Sequence, residues 1–160
     1  MILRIDVSSF GEGGAGDLDI PALESEIGSS PEMKGLLVCD VAQVALSFVS
    51  KDEIKGLNAV YRNVSESTDV LSFPLWEEDG VFSPPQWGGE LPLGDVVISP
   101  EFVRDNAHSS DTGFDGEMAL VAIHGILHLV GFDHDTDERM TAMWSVQERM
   151  REGYFRRRHR

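Results

Sequence analysis

The sequence is poor in cysteine and in long apolar runs. Cys39 is the only cysteine among 160 residues, so the chain has no internal disulfide, as is usual for proteins of a reducing cytosol. No stretch approaches the ~20 apolar residues of a membrane span. The residues after Met1, ILRIDVSSF, lack the basic start and long apolar core of a signal peptide. We therefore expect a soluble, cytoplasmic protein with no membrane partner.

Basic residues are also scarce. The chain has 13 Lys and Arg against 28 Asp and Glu, a formal net charge of −15. Nucleic-acid binding depends on Lys and Arg at the phosphates, so this charge by itself argues against RNA or DNA as a ligand. Net charge is an average over the whole surface, however, and a local basic groove is compatible with it. Composition therefore leaves nucleic acid open.

The length predicts one domain over residues 1–160, and no internal repeat is evident. Alternating or β-branched segments predict four strands, at 2–7, 43–49, 68–73 and 93–98. Capping signals and apolar periodicity predict helices near 21–28, at 51–62, after Ser99 and Pro100, at about 115–130 and at about 136–152. We expect an α+β fold: one small mixed four-stranded sheet packed with helices, with the nearly all-apolar helix 115–130 buried against the sheet.

Two helices allow more detailed predictions. Ser50 is the expected cap of helix 51–62, with Glu53 as its capping-box partner, and Asp135 and Glu138 are expected to do the same for the last helix. The inward residues of the two helices are expected to be Ile54, Leu57, Asn58 and Tyr61 in the first and Met140, Met143, Trp144 and Met150 in the second.

Two other segments are predicted from composition. Residues 75–92 are rich in proline and glycine and are expected to form an ordered, irregular loop that can act as a lid. The basic tail at 156–160, RRRHR, is expected to be a frayed end, with contact to phosphate as the alternative.

Residues 124–134, HGILHLVGFDH, contain three of the five histidines. His124 and His128 are four apart, so on a helix both imidazoles reach one point. Gly131 favours a helix end, because glycine adopts the left-handed conformation without steric cost, and the chain can then return His134 to the same point. Three neutral imidazoles with a fourth position left for water describe a catalytic zinc site.

The same spacing occurs in the metzincin peptidases. Those enzymes carry glutamate directly after the first histidine as general base, whereas this chain has Gly125. A peptidase or amidase would therefore need another base, such as Glu117 or Asp133. This zinc hydrolase remains one alternative.

Three stretches together resemble the signatures of the YbeY family. They are LNAVYR with TDVLSFP (57–62 and 68–74), LGDVVIS (93–99) and HGILHLVGFDH, in the family's order and spacing. The resemblance covers about residues 40–150. Phe132 departs from the family's common tyrosine by one hydroxyl.

The resemblance implies a zinc-dependent, single-strand-specific endoribonuclease that matures the 3′ end of 16S ribosomal RNA and acts in ribosome quality control. It implies one zinc ion held by His124, His128 and His134 plus water, and a catalytic role for Arg62, whose planar fork of donors suits a phosphate. Single-stranded ribosomal RNA is the expected partner, with small-subunit ribosomal proteins or an assembly GTPase as further partners. Whether water or the ribose 2′-hydroxyl attacks phosphorus stays open. A non-catalytic ribosome-assembly factor with a mainly structural zinc is the second alternative.

The roles of four polar residues near the proposed ligands and Arg62 are also open. Asp133 either accepts a hydrogen bond from a ligand imidazole or shapes the turn into His134. Asp69 and Asp95 either support the metal ligands by contact or simply lie at strand ends. Asn58 either orients Arg62 or caps a loop.

Overall fold

The computed structural model describes residues 1–9, 18–86, 88–107 and 112–158. The described strands are β1 (Ile2–Ser9), β2 (Val41–Phe48), β3 (Val70–Pro74), β4 (Glu77–Glu78), β5 (Val81–Phe82) and β6 (Glu90–Ile98). The described helices are α1 (Ile20–Gly28), α2 (Pro31–Leu36), α3 (Lys51–Arg62), α4 (Pro100–Asn106), α5 (Gly113–Leu129) and α6 (Asp137–Arg158).

Four of these strands form one mixed sheet in the order β1-β2-β6-β3. β1, β2 and β6 are parallel, and β3 pairs antiparallel with β6 at the other edge. The inward positions of β2 alternate regularly with half-exposed ones, as expected of a strand with one face in the core. The predicted mixed four-stranded sheet and α+β class are confirmed.

The two faces of β6 carry different layers. Val96 and Ile98 point to the main core, which includes α5, whereas Val97 joins a smaller cluster with Ile54 of α3. α5 and α3 therefore lie on opposite faces of the sheet. Both approach its β3 edge, which brings the end of α3 and the histidines of α5 to one side of the molecule.

α5 is buried along most of its length, as its apolar sequence predicts. It packs on β3 and β6 and is covered on its other side by α6. The hydroxyl of Ser72 in β3 donates to the carbonyl oxygen of Gly125 at 2.8 Å, which links the helix to the edge strand. The predicted burial of the histidine-bearing helix against the sheet is thus confirmed.

Segment 75–92 is more regular than predicted. It contains the short hairpin β4–β5, which turns through Asp79 and Gly80, both at positive φ. The following strand begins at Glu90, before the predicted residue 93, because its first residues pair with β2. Trp87 lies outside the described residues, as do most of the loop predicted at 8–17 and residues 108–111 of the polar loop predicted at 106–114.

Two aromatic residues predicted to face inward are exposed. Tyr61 is 65% exposed and Trp144 is 54% exposed. The buried stripe of α6 consists of Met143, Gln147, Met150 and Tyr154, whose spacing of four, three and four places residue 144 on the flank. The prediction that Tyr61 and Trp144 face inward was therefore wrong, because it used their apolar character and not the position of the neighbouring elements.

Both ends of α6 also differ from prediction. Thr136, not Asp135, caps the helix: its hydroxyl accepts from the Arg139 N–H at 3.1 Å. The tail is helical through Arg158 rather than frayed, because Arg157 pairs with Glu26 of α1 at 2.7 Å and Arg158 with Asp115 at 3.4 Å. His159 and Arg160 lie outside the described residues. The cap at Ser50, whose hydroxyl accepts from the Glu53 N–H at 3.1 Å, is as predicted.

None of the helices in the described part of the chain is long and apolar enough to cross a membrane.

Candidate metal centre and its cleft

A glycine-terminated turn brings the third histidine back to the end of α5. The Gly131 N–H donates to the His128 carbonyl at 3.2 Å, and the Phe132 N–H donates to the Leu127 carbonyl at 3.1 Å. These two bonds form a Schellman motif with Gly131 at φ 96°. A side chain at this position would also meet the Cβ of Phe82 at 2.7 Å. Conformation and space together therefore require glycine here.

The three imidazoles converge as the spacing predicted. One ring nitrogen from each of His124, His128 and His134 lies within 4.8 Å of the others, and the group can hold a metal ion. The Nε2 atoms of His124 and His128 are 3.0 Å apart. Nitrogen ligands arranged tetrahedrally at 2.0–2.1 Å from zinc are about 3.3 Å apart, so this pair is close to coordination geometry.

Two of these imidazoles are neutral at pH 7. Burial lowers the pKa of His124, and burial together with the two neighbouring histidines lowers the pKa of His128 to about 4. Metals bind the neutral form of histidine, so no proton has to be displaced from either residue before coordination. His124 and His128 are half-buried, whereas His134 is exposed.

A fourth side chain, Gln147 of α6, contacts the group. Its Oε1 lies 2.5 Å from the Nδ1 of His124, and Gln147 itself is only 5% exposed. Sequence reasoning missed this residue. The available signal was an amide in an otherwise apolar stripe, four residues after Met143 and three before Met150.

The imidazoles form one wall of a cleft of about 560 Å³. The edge strand β3 and the hairpin form other walls, with Phe82 beside Gly131. Two basic side chains line the cleft, Arg62 from α3 and Arg139 from α6, and three carboxylates face it, from Asp69, Glu77 and Asp133.

Arg62 lies at the last position of α3, and the helix ends there because Asn63 adopts the left-handed conformation. Arg62 is exposed, and within the described residues no hydrogen bond or ion pair engages its guanidinium. Its donors are thus available to a ligand in the cleft. Its catalytic role stays a prediction.

Asn58 caps a loop, which was one of its two predicted roles. Its Nδ2 donates to the Glu66 carbonyl at 2.9 Å, and its own carbonyl accepts from the Val64 N–H at 3.3 Å. These bonds fix the chain that leads from Arg62 to the cleft wall at Asp69.

The open alternatives for the aspartates also resolve. The Asp133 carboxylate accepts from the His134 backbone N–H at 2.7 Å, so it shapes the turn. Asp69 lines the cleft, and its charge raises the pKa of His124, a smaller effect than burial. Asp95 is exposed within β6, opposite Phe73, and is not among the cleft residues.

Gly125 bears on the peptidase alternative. A Cβ there would meet Val96 Cγ1 at 2.6 Å and Val70 Cγ2 at 3.0 Å, so this position faces the sheet. A glutamate on this helix position would have no space and would not point into the cleft. Glu117 is not a cleft residue either, which leaves Asp133 as the substitute base that was considered.

Comparison with known proteins identifies the family of this chain. The family model described as endoribonuclease YbeY matches residues 26–154, which include every motif residue discussed above. The chain belongs to the YbeY endoribonuclease family. A YbeY endoribonuclease of Bacillus subtilis is 35% identical over 156 residues, covering 96% of this chain and 97% of that protein. One of Caldanaerobacter subterraneus is 39% identical over 119 residues, covering 72% and 75%.

A solved structure has the same fold. The solution structure of TM1509 from Thermotoga maritima matches with a TM-score of 0.58 and 30% identity, covering 97% of this chain and 91% of that one. The family resemblance seen in the three sequence motifs is therefore confirmed at the level of both sequence and fold.

Proposed function

We propose that this chain, as one domain over its whole length, is a zinc-dependent, single-strand-specific endoribonuclease of the cytoplasm. Its substrate is ribosomal RNA: it matures the 3′ end of 16S ribosomal RNA and serves ribosome quality control. The observation that carries this proposal is the convergence of three imidazoles in a cleft of a YbeY-family chain that Arg62 and Arg139 also line.

The donor set fits zinc. Three nitrogen ligands on one side, with the cleft on the other, correspond to a catalytic site that keeps an open position, whereas a structural site is usually closed by four protein ligands. His124, His128 and His134 would hold the ion. When bound, zinc supplies a Lewis acid and lowers the pKa of a coordinated water toward about 7. Three imidazoles also accept nickel, cobalt or copper, so metal content has to be measured.

The chain's own residues account for the remaining chemistry. Arg62 presents unpaired guanidinium donors to the cleft and would hold the phosphoryl oxygens as negative charge develops on them. Arg139 donates to Asp135 at 3.0 Å and to the Gly131 carbonyl at 3.3 Å, so a second guanidinium is held beside the metal group. Asp69, Glu77 and Asp133 are the cleft carboxylates that can accept a proton from the attacking water or 2′-hydroxyl.

The proposal requires a local phosphate contact in a chain of net charge −15. The tail arginines Arg157 and Arg158 are paired with carboxylates, whereas Arg62 faces the cleft unpaired. The cleft therefore offers a phosphate one unpaired guanidinium, that of Arg62, beside the proposed metal group. The acidic surface elsewhere suits the basic ribosomal proteins that we propose as further partners.

The test combines metal analysis with RNA cleavage. Purified protein should contain about one zinc per chain and cleave a single-stranded ribosomal RNA fragment; chelation should abolish cleavage and added zinc should restore it. His128→Ala should lose zinc and activity together. Arg62→Ala should keep its zinc yet cleave about 10²–10³-fold more slowly, by analogy with loss of one oxyanion donor.

The outcomes separate the alternatives. Full activity of a zinc-free His128→Ala variant would refute the metal assignment, and unchanged turnover of Arg62→Ala would make that arginine an ordinary surface residue. Bound zinc without RNA cleavage would favour a ribosome-assembly factor, and cleavage of peptides would favour the peptidase. A cyclic phosphate end would identify the 2′-hydroxyl as nucleophile.

A further inference from the structure

Gln147 is a buried amide in a stripe where apolar side chains would pack at least as well. It lies on α6 between Met143 and Met150, both 0% exposed, and is itself 5% exposed. Burying an amide is unfavourable unless its polar atoms are hydrogen-bonded. Its side-chain oxygen contacts His124, at 2.5 Å from Oε1 to Nδ1.

This contact determines where the proton of His124 resides. The Oε1 of an amide can only accept, so Nδ1 of the imidazole must be the donor. A metal-binding imidazole is neutral and carries a single hydrogen, and the contact with Gln147 places that hydrogen on Nδ1. With that hydrogen on Nδ1, Nε2 has a free lone pair, and it is Nε2 that lies 3.0 Å from the Nε2 of His128, inside the three-histidine group.

We infer that Gln147 is a positioning residue, which holds His124 in the Nδ1–H tautomer and fixes the ring with Nε2 directed at the metal. The inference rests on the proposed metal site and adds a residue to it that acts only through His124. Partners of this kind orient metal-bound histidines and commonly change metal affinity by about 10–100-fold when removed. Without this acceptor, rotation of the ring or the other tautomer would place a hydrogen where the lone pair is needed.

Two substitutions separate this role from simple packing. Gln147→Leu removes the acceptor but suits the apolar stripe, and Gln147→Glu keeps an oxygen acceptor of the same length. Zinc affinity, measured by competition with a chromophoric chelator, should fall about 10–100-fold in Gln147→Leu and stay within about threefold of wild type in Gln147→Glu. The thermal stability of metal-free Gln147→Leu should equal or exceed that of metal-free wild type, which shows that weaker binding is not a loss of fold.

The tautomer itself can be read in the wild-type protein without metal. Nitrogen-15 chemical shifts of His124 should show Nδ1 protonated and Nε2 bare, and Gln147→Leu should lose this preference. A wild-type His124 protonated on Nε2 would overturn the inference even if the Leu variant failed to fold. So would equal zinc affinity in all three proteins. A wild type that binds no zinc would instead refute the proposed function, and the tautomer measurement would still decide the role of Gln147.

Discussion

Replacing Gly125 by alanine tests how closely the histidine helix has to approach the sheet. An alanine Cβ at this position would lie 2.6 Å from Val96 Cγ1, whereas ordinary contact begins at 3.4 Å. Val96 is 0% exposed and β-branched, so it has little freedom to rotate away. The helix or the strand therefore has to move by about 0.8 Å, the difference between these two distances.

The expected change in the free energy of unfolding combines two opposing effects. Exchanging glycine for alanine inside a helix stabilises by about 0.5–1 kcal/mol. Overpacking a well-filled contact costs about 1–3 kcal/mol. We expect a net destabilisation of about 1 kcal/mol, which for a chain of this size lowers Tm by about 2–4 °C.

The chain offers a matched control in Gly56→Ala. Gly56 is also inside a helix, α3, but it is exposed and a Cβ there meets nothing within 4 Å. This variant should be stabilised by about 0.5–1 kcal/mol, which raises Tm by about 1–4 °C. The difference between the two variants isolates the steric cost against β6.

Thermal and urea unfolding of both variants measure this difference, and a zinc titration measures its effect on the site. Because His124 directly precedes the substitution, Gly125→Ala should also weaken zinc binding, whereas Gly56→Ala should not. If Gly125→Ala were as stable as Gly56→Ala and bound zinc as wild type does, the close contact between α5 and the sheet would be refuted.

Three further predictions concern charge. Arg139→Ala should weaken binding of single-stranded RNA and reduce the slope of log K against log salt by about 0.7, the value for one lost phosphate contact. The control Arg156→Ala, at an exposed arginine, should leave the slope unchanged. A slope for Arg139→Ala equal to that of wild type would show that Arg139 does not contact the RNA. The pKa of His128 is lowered to about 4 from an ordinary 6.5, so between these values the unfolded chain binds a proton that the folded metal-free protein does not, and stability is lost as the pH falls from 6.5 to about 4. In urea unfolding, metal-free wild type should lose more stability between pH 7.5 and 5 than His128→Asn does. Parallel losses in the two proteins would contradict the lowered pKa. Arg157→Ala breaks the ion pair with Glu26 and should lower the free energy of unfolding, measured with urea, by about 1 kcal/mol. Arg156→Ala should lower it by less. Equal losses in the two variants would mean that the pair with Glu26 does not anchor the tail.

Local patterns predicted the site better than they predicted its surroundings. The spacing of His124, His128 and His134 with Gly131 follows from helix geometry and from the conformational freedom of glycine, both of which are properties of short segments. The cap at Ser50 and the burial of α5 have the same origin. These features depend on neighbours within a few residues, so the sequence predicts them without knowledge of the fold.

The failed predictions concern contacts between distant segments. Trp144 was expected inside because it is apolar, but the stripe that α1 and α5 cover includes Gln147 instead. The tail was expected to fray, but Glu26 and Asp115, more than 40 residues away, hold its arginines in a helix. Neither outcome can be read from local propensity, because each depends on which side chain lies opposite in the folded chain.

The sequence by itself therefore determined the three imidazoles, the turn that returns the third to the other two, and the family to which the chain belongs. The tertiary structure decided the rest of the site. Packing α5 between the sheet and α6 half-buries His124 and His128, which lowers the pKa of both, and brings Gln147 to His124. The opposite placement of α3 presents Arg62 to the same cleft. A short motif can specify ligands, but burial and long-range contacts set their protonation and orientation.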